Sequence, residues 1–229
     1  MQNIYFIIPC AGNGSRIGSD IPKQYILFNQ KPIIYCTLLE LAKLNIPILL
    51  AVSINDNYIS SFIHLLPNNI QIAYIGGETR AHTVQNSLNY LYNEIGLNKD
   101  DWVLVHDAAR PLVSYLDIQN LINKCINEDI GGILAAPIAD TIKKIDNDYN
   151  VNSTIDRKNI FAAQTPQMFK LGILRKALEY DINVSDESMA IENIGLFPKI
   201  IQGSKNNIKI TYQEDLEIFE ILIKKRLGI

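Results

Sequence analysis

Short apolar runs alternate along the chain with segments whose apolar residues recur every three or four positions. The runs predict buried strands at Ile4 to Ile8, Ile48 to Val52, Gln71 to Ile75, Trp102 to His106 and Ile133 to Ala136. The helical spacing predicts helices from Pro32 to Leu44, about Asn57 to Leu66, Arg80 to Tyr92, and Leu116 to Cys125. Regular alternation of strand and helix indicates an α/β fold with a doubly wound, mostly parallel, Rossmann-like sheet.

The pattern changes after Asp140. Two strand-like segments, Thr141 to Ile145 and Val151 to Ile155, flank a polar turn and predict a β-hairpin arm inserted over residues 140–164. Because an isolated hairpin is marginal in water, this arm is expected to lie on its own domain or on a second copy of the chain. The remaining segments predict helices and short strands at Lys170 to Tyr180, Asp186 to Asn193, Ile200 to Gln202, Asn207 to Ile210 and Glu214 to Lys225.

Composition narrows the classes of function. The 229 residues suit one domain spanning 1–229, with 48% hydrophobic residues and a net charge of −3. A slightly acidic chain is a poor candidate for broad nucleic-acid or anionic-membrane binding. Three scattered cysteines and the lack of a signal peptide or a long apolar stretch predict a cytoplasmic protein.

The loop after the first strand predicts an anion site. It holds Gly12, Gly14 and Gly18, and the cations Arg16 and Lys23 follow the first two of these glycines. Glycine backbone lets N–H groups form an anion-binding concavity at the carboxyl end of a strand, where α/β sheets bind ligands. The loop lacks the Gly-Lys-Ser/Thr ending of a P-loop and the glycine spacing of a dinucleotide fingerprint. A polyphosphate site is therefore favoured over a plain glycine turn.

Two further strand ends face the same edge of the predicted sheet. Asp107 follows one strand and suits Mg²⁺, which proteins hold with one or two carboxylates and substrate phosphates. The alternative is that Asp107 caps a helix or pairs with Arg110. His106 is expected to be a packed residue. Gly76-Gly77 follow another strand and suit close contact with a base, unless they form a plain loop ahead of a Thr79 helix cap.

These segments together resemble the 2-C-methyl-D-erythritol 4-phosphate cytidylyltransferase family. The likeness runs from Ile7 to about Leu216. It is carried by Pro9-x-Ala-Gly-x-Gly-x-Arg16, Pro22-Lys-Gln-Tyr25, Gly76-Gly77 with Arg80, Val105-His-Asp-Ala-Ala-Arg-Pro111, Asp140-Thr141, Asp156-Arg157, Gln164-Thr-Pro-Gln167, Asp186-Glu187 and Asn207-Ile-Lys209. Cys10, Thr83 and Ser185 are small departures from the usual residues of the family.

The resemblance implies a nucleotidyltransferase fold and a Mg²⁺-dependent transfer of cytidylyl from CTP to methylerythritol phosphate, with release of pyrophosphate, in the non-mevalonate isoprenoid pathway. It implies that Arg16 and Lys23 grip the triphosphate and that Asp107 ligates Mg²⁺. The cytosine and ribose would be held by Pro9, Cys10, Ala11, Gly12, Gly14, Gly77, Glu78 and Thr83, with Ala108 leaving room for them. The acceptor would be held by Thr141, Arg157, Ser185 and Lys209. It also implies a homodimer in which the arm brings Thr141 and Arg157 to the partner's site, with Arg157 and Lys209 counted as catalytic.

Two alternatives remain open from the sequence. One is a cytidylyltransferase for another polyol phosphate, such as ribitol 5-phosphate, on the same fold. The other is a non-catalytic nucleotide-binding regulator. The joint presence of Arg16, Lys23, Asp107 and Lys209 speaks against a regulator, because a sensor needs no cations for a transition state.

Overall fold

The computed structural model of the chain describes residues 2–12 and 21–228, which fold around one mixed sheet. Within these ranges the sheet has seven strands, β1 (Ile4–Cys10), β4 (Ile48–Val52), β5 (Ile70–Ala73), β6 (Trp102–Val105), β7 (Gly131–Pro137), β10 (Phe161–Lys170) and β11 (Lys199–Gln202). Their order is β11-β7-β10-β6-β1-β4-β5. No helix in the two ranges is long and apolar enough to cross a membrane.

Helices cover both faces of the sheet. They are α1 (Ile33–Ala42), α2 (Arg80–Asn93), α3 (Tyr115–Cys125), α4 (Leu171–Tyr180), α5 (Glu187–Asn193) and α6 (Gln213–Leu227). Alternate residues of β1 point to opposite faces: Phe6 and Ile8 pack with α1 and α3, and Ile7 packs with α2, α4 and α5. The sheet is therefore doubly wound, and the prediction of the fold class is confirmed.

Strand β10 is the one strand of the central sheet, as described, that runs against its neighbours. It pairs antiparallel with both β6 and β7, whereas β1 is parallel to β4 and β6. The apolar pattern of the sequence does not predict this strand, because its centre is not an apolar run but Gln164, Thr165, Pro166 and Gln167. Its polar centre lies at a shift in the register with β7, between Ala163 and Gln167.

The hairpin arm consists of β8 (Ile142–Ile145) and β9 (Val151–Ile155), which pair with each other in a separate two-stranded sheet. The predicted end of the arm at residue 164 is wrong, because Phe161 to Ala163 already pair with β7. A second small hairpin, β2 (Leu27–Phe28) with β3 (Lys31–Pro32), precedes α1.

Two predicted elements take other forms. The segment from Asn57 to Leu66 is two 3₁₀ turns, Ile59–Ser61 and Ile63–Leu65, because only Ile59 and Phe62 of this segment are buried, which is too little packing to support a longer α-helix. Residues 207–210 form no strand. Their backbone crosses the end of the sheet, where the Ile210 amide donates to the Ala109 carbonyl.

Candidate active site

The carboxyl ends of β1 and β6 open into a pocket of ≈ 240 Å³. Parallel neighbours end at the same edge of a sheet, so the loops after Cys10 and Val105 face each other. The lining residues are Pro9, Cys10, Gly12, Lys23, Gln24, Arg80, Asp107, Ala108, Ala109 and Lys209. Seven of the residues predicted for the site lie in this lining: Pro9, Cys10, Gly12, Lys23, Asp107, Ala108 and Lys209.

One wall of the pocket is the backbone after β1, and Gln24 holds it in place. The buried Gln24 side chain donates from Nε2 to the Gly12 carbonyl at 2.9 Å and to the Cys10 carbonyl at 3.4 Å. The next residue, Tyr25, donates its hydroxyl to Asp56 at 2.6 Å. The 3₁₀ turn Lys23–Tyr25 is thus anchored on both sides, and Lys23 is presented to the pocket.

Cations surround Asp107 on the opposite wall. Arg80 Nε contacts Asp107 Oδ1 at 2.7 Å, and Lys209 Nζ contacts Oδ2 at 2.8 Å. Arg110 Nε lies 3.5 Å from the same Oδ2. Burial alone would raise the pKa of Asp107, but the three cations hold it well below its ordinary value. The carboxylate stays ionised, and the cations around it make the pocket attractive to anions.

Lys23 and Lys209 approach each other through the segment that replaces the predicted strand. Lys23 Nζ donates to the Ile210 carbonyl at 2.9 Å, one residue from Lys209. Arg110 Nη1 donates to the Asn207 carbonyl at 2.7 Å and so ties the same segment to β6. Residues 207–210 therefore help to bring Lys209 and Lys23 to one pocket.

The backbone of Asp107 is fixed by a buried chain of hydrogen bonds. The Asp107 amide donates to Thr165 Oγ1 at 3.0 Å, and Thr165 Oγ1 lies 3.0 Å from His106 Nδ1. His106 Nε2 lies 3.2 Å from the Arg110 carbonyl, which can only accept, so Nε2 carries the proton and Nδ1 accepts from Thr165. His106 is fully buried and acts as a neutral structural residue, as the sequence indicated.

This neutral histidine makes the stability of the protein depend on pH. Burial lowers the pKa of His106 from its ordinary value of 6.5 to about 4. Between those values the unfolded chain binds more protons than the folded one, so stability rises with pH. We expect the free energy of unfolding to fall by up to ~3 kcal/mol on acidification from pH 7 to pH 4 because of this group.

Denaturant unfolding at a series of pH values checks this expectation. The variant His106→Gln lacks the titrating group and should show a shallower dependence on pH, whatever its stability at pH 7. Equal slopes for the variant and the wild type would show that other groups control the acid sensitivity.

The loop after β5 approaches the first loop closely. A Cβ atom on Gly76 would lie 2.4 Å from the Ala11 Cβ, so only glycine permits this contact. The Gly77 amide donates to Thr83 Oγ1 at 3.0 Å, and the buried Thr83 hydroxyl donates to the Thr79 carbonyl at 3.0 Å. Thr83 thus acts through the backbone of Gly77, while Glu78 is exposed at the start of α2.

The predicted acceptor residues, apart from Lys209, lie outside this lining as the described residues define it. Thr141 and Arg157 are exposed at the base of the arm, where Arg157 donates to the Ala139 carbonyl. Ser185 is exposed just before α5 and contacts the Met189 sulfur. Arg16 and Gly14 lie outside the described residues.

Several residues of the site had no role in the sequence reading. Gln24 and Arg80 line the pocket, and Glu187 and Asn207 lie behind it. Ala109, expected with Ala108 to leave room for a sugar or base, also lines the pocket. Glu187 binds Arg80 through two hydrogen bonds, and Asn207 Nδ2 donates to the Thr165 carbonyl at 2.9 Å. Glu187 is 107 residues from Arg80. The signal available in the sequence was a glutamate in a family motif to which no role was given.

The surroundings of Asp107 fit Mg²⁺ delivered with a nucleotide. Asp107 lines the pocket, and its Oδ2 faces Lys209, whose side chain is 36% exposed, and Arg110. In the described ranges, no three His, Cys, Asp or Glu side chains are placed to hold a metal ion together. One carboxylate is sufficient when substrate phosphates supply the other oxygen ligands.

Comparison with known proteins places this chain in a family. The profile of 2-C-methyl-D-erythritol 4-phosphate cytidylyltransferase matches residues 4–225. A relative of that name from Azoarcus sp. (strain BH72) is 39% identical over 237 residues, covering 100% of this chain and 99% of the relative.

Solved structures agree with the sequence comparison. A crystal structure of 4-diphosphocytidyl-2C-methyl-D-erythritol synthase superimposes with a TM-score of 0.86 and 31% identity, covering 97% of this chain and 99% of that one. The cytidylyltransferase from Francisella tularensis has a TM-score of 0.78 and 38% identity, with 96% and 99% covered. This chain belongs to the 2-C-methyl-D-erythritol 4-phosphate cytidylyltransferase family.

Proposed function

We propose that the chain transfers the cytidylyl group of CTP to 2-C-methyl-D-erythritol 4-phosphate, giving 4-diphosphocytidyl-2-C-methyl-D-erythritol and pyrophosphate. The observation that carries the proposal is the pocket itself. It joins exposed glycine backbone, Lys23, Asp107 and Lys209 at the carboxyl edge of the sheet, in a chain of this family. The proposal includes that this reaction belongs to the non-mevalonate route to isoprenoids and takes place in the cytoplasm.

In the proposed reaction, a phosphate oxygen of the acceptor attacks the α-phosphorus of CTP and the bond to pyrophosphate breaks. The acceptor phosphate is already ionised at neutral pH, so no general base is required. This suits a site whose histidine is buried, neutral and engaged through both ring nitrogens. Catalysis then rests on positioning and on stabilisation of negative charge.

The residues of the chain divide this work. Pro9 to Gly12 and Gly77 are proposed to hold the cytosine and ribose, and Lys23, together with Arg16, to bind the triphosphate. Asp107 would hold Mg²⁺, which would supply positive charge to offset the negative charge of the triphosphate. Lys209 would leave Asp107 and bind the acceptor phosphate. Ser185, Thr141 and Arg157 would also bind the acceptor.

The arm supports the proposal of a homodimer with shared sites. Each residue of β9 is exposed, and the apolar side chains Ile145, Tyr149 and Val151 are 45%, 84% and 61% exposed in the single chain. A two-stranded hairpin of this kind gains stability when its apolar residues are covered. A partner subunit would cover them and receive Thr141 and Arg157 in its own site.

The decisive experiment is pyrophosphate release measured with purified protein. We expect release that requires CTP, Mg²⁺ and methylerythritol phosphate together. Faster release with ribitol 5-phosphate would assign the chain to the rival acceptor. CTP binding without release under any of these conditions would favour a nucleotide-binding regulator.

Substitution of Arg157 tests the shared site. Arg157→Ala should chiefly raise the apparent KM for the acceptor, because Arg157 is proposed to orient the acceptor phosphate and not the nucleotide. Steady-state kinetics with each substrate varied in turn measures the effect.

Mixing two impaired variants tests which subunit Arg157 serves. Co-refolded Lys23→Ala and Arg157→Ala chains, assayed below the raised KM, should regain activity, because every mixed dimer carries one intact site. At random pairing about half of the dimers are mixed, so about a quarter of all sites are intact. No gain on mixing, or full activity in a protein that chromatography shows to be monomeric, would contradict the shared site.

A further inference from the structure

The structure contains a buried acidic residue that the proposed reaction does not use. Glu187 begins α5, and its side chain is 2% exposed. Its oxygens accept from both terminal nitrogens of Arg80, Nη1 at 2.7 Å and Nη2 at 3.0 Å. The remaining nitrogen of the same guanidinium, Nε, donates to Asp107 Oδ1 at 2.7 Å. Arg80 is therefore a bridge between a carboxylate of the pocket and one behind it.

The Arg80 guanidinium makes unequal numbers of hydrogen bonds to the two carboxylates. Glu187 receives a two-point contact and Asp107 a single one at Oδ1, so Arg80 leaves Asp107 Oδ2 to Lys209 at 2.8 Å, to Arg110 at 3.5 Å and to the pocket. A guanidinium favours two parallel hydrogen bonds to one carboxylate. Without the charge of Glu187, Arg80 would be free to turn its fork onto Asp107 and to occupy both of its oxygens.

Glu187 is held rigidly enough to act in this way. The side chain of Gln167, in β10, accepts from the Ser188 amide at 2.8 Å and donates to the Asp186 carboxylate at 2.9 Å. Asp186 in turn caps α5 by accepting from the Met189 amide at 3.0 Å. The first turn of α5 is thus attached to β10, which pairs with β6, and Asp107 lies in the loop that follows β6.

We propose that Glu187 is a positioning residue that keeps Arg80 from closing on Asp107 and so preserves the carboxylate oxygen that binds the divalent metal of the nucleotide. The inference rests on the proposed function, because it concerns the metal that Asp107 is proposed to hold. A buried ion pair that served stability alone would affect folding but not the coupling between metal and nucleotide.

The test is calorimetric and needs no turnover. The dissociation constant of CTP is measured without acceptor, once with Mg²⁺ and once with a chelator, and the ratio of the two constants reports the metal coupling. For Glu187→Gln we expect the ratio to fall about tenfold, the scale of losing an outer-sphere partner of a metal ligand. Affinity for CTP in chelator should change little.

Two further variants separate positioning from folding. Glu192→Gln neutralises an exposed glutamate of the same helix, whose partner is Ser188, and should keep the wild-type ratio. The double variant Arg80→Gln/Glu187→Gln lacks the guanidinium that would compete for Asp107. Its ratio should therefore be no lower than that of Arg80→Gln alone. If Glu187→Gln does not fold, Glu187→Asp, which keeps the charge but shortens its reach, should lower the ratio in the same direction.

The outcomes distinguish this inference from the proposed function. An unchanged ratio in a folded Glu187 variant, or a loss that adds fully to that of Arg80→Gln, would overturn the positioning role alone. A wild-type chain whose CTP affinity did not respond to Mg²⁺ would overturn the proposed nucleotide chemistry, and this inference with it.

Discussion

Lys23→Ala is expected to lower kcat about 10²–10³-fold, the scale of losing one charge partner of a transition state. Lys23 lines the pocket, and its ammonium group lies 2.9 Å from the Ile210 carbonyl, beside the segment that carries Lys209. Its charge is proposed to act as negative charge moves from the α-phosphoryl group to the leaving pyrophosphate. The loss should therefore appear in kcat more than in the KM for CTP.

Steady-state kinetics under saturating Mg²⁺ measures this effect. Lys31→Ala is a matched control, because Lys31 is an exposed lysine of β3 and lies outside the pocket. The control should keep the wild-type rate. A wild-type kcat in Lys23→Ala would remove Lys23 from the chemistry.

Asp107→Asn is expected to abolish measurable transfer and to destabilise the fold as well. The substitution leaves the nearby charges of Arg80, Arg110 and Lys209 without their common carboxylate. Removing one partner of a buried ionic group costs about 3 kcal/mol or more, so the free energy of unfolding should fall by that amount at pH 7. The proposed metal ligand is lost at the same time.

Glu40→Gln separates the two effects of the Asp107 substitution. Glu40 is also a buried acid, which binds Lys43, Arg226 and the Tyr115 amide far from the pocket lining. The Glu40→Gln variant should be less stable than the wild type but should keep the wild-type kcat below its unfolding temperature. If Asp107→Asn behaved in the same way, with normal transfer by the folded protein, Asp107 would have no role in the reaction.

The strands with continuous apolar runs were predictable from the sequence, because burial on both faces of a parallel sheet requires such runs. β4 and β6 are buried along their whole length, and their positions follow directly from this pattern. β10 escaped detection because its buried residues Gln164, Thr165 and Gln167 are polar and find hydrogen-bond partners in the folded chain only. A local hydrophobic pattern carries no trace of such distant partners.

Some features of the site were also predictable from the sequence, and others were not. Lys23, Asp107 and Lys209 were predictable because each belongs to a family motif, and strand order brings their loops to one edge of the sheet. The bridge from Glu187 through Arg80 to Asp107 was not predictable, because it depends on the packing of α5 against the sheet. The charge pattern of the sequence shows which side chains are ionised but not which of them share a partner.

A crystal structure of the chain with CTP and Mg²⁺ tests the central claim most directly. The account predicts the triphosphate in the pocket between Lys23 and Asp107, with the base against the backbone of Pro9 to Gly12 and the metal on Asp107. CTP bound elsewhere on the chain, or a triphosphate that contacts neither Lys23 nor the metal at Asp107, would contradict it.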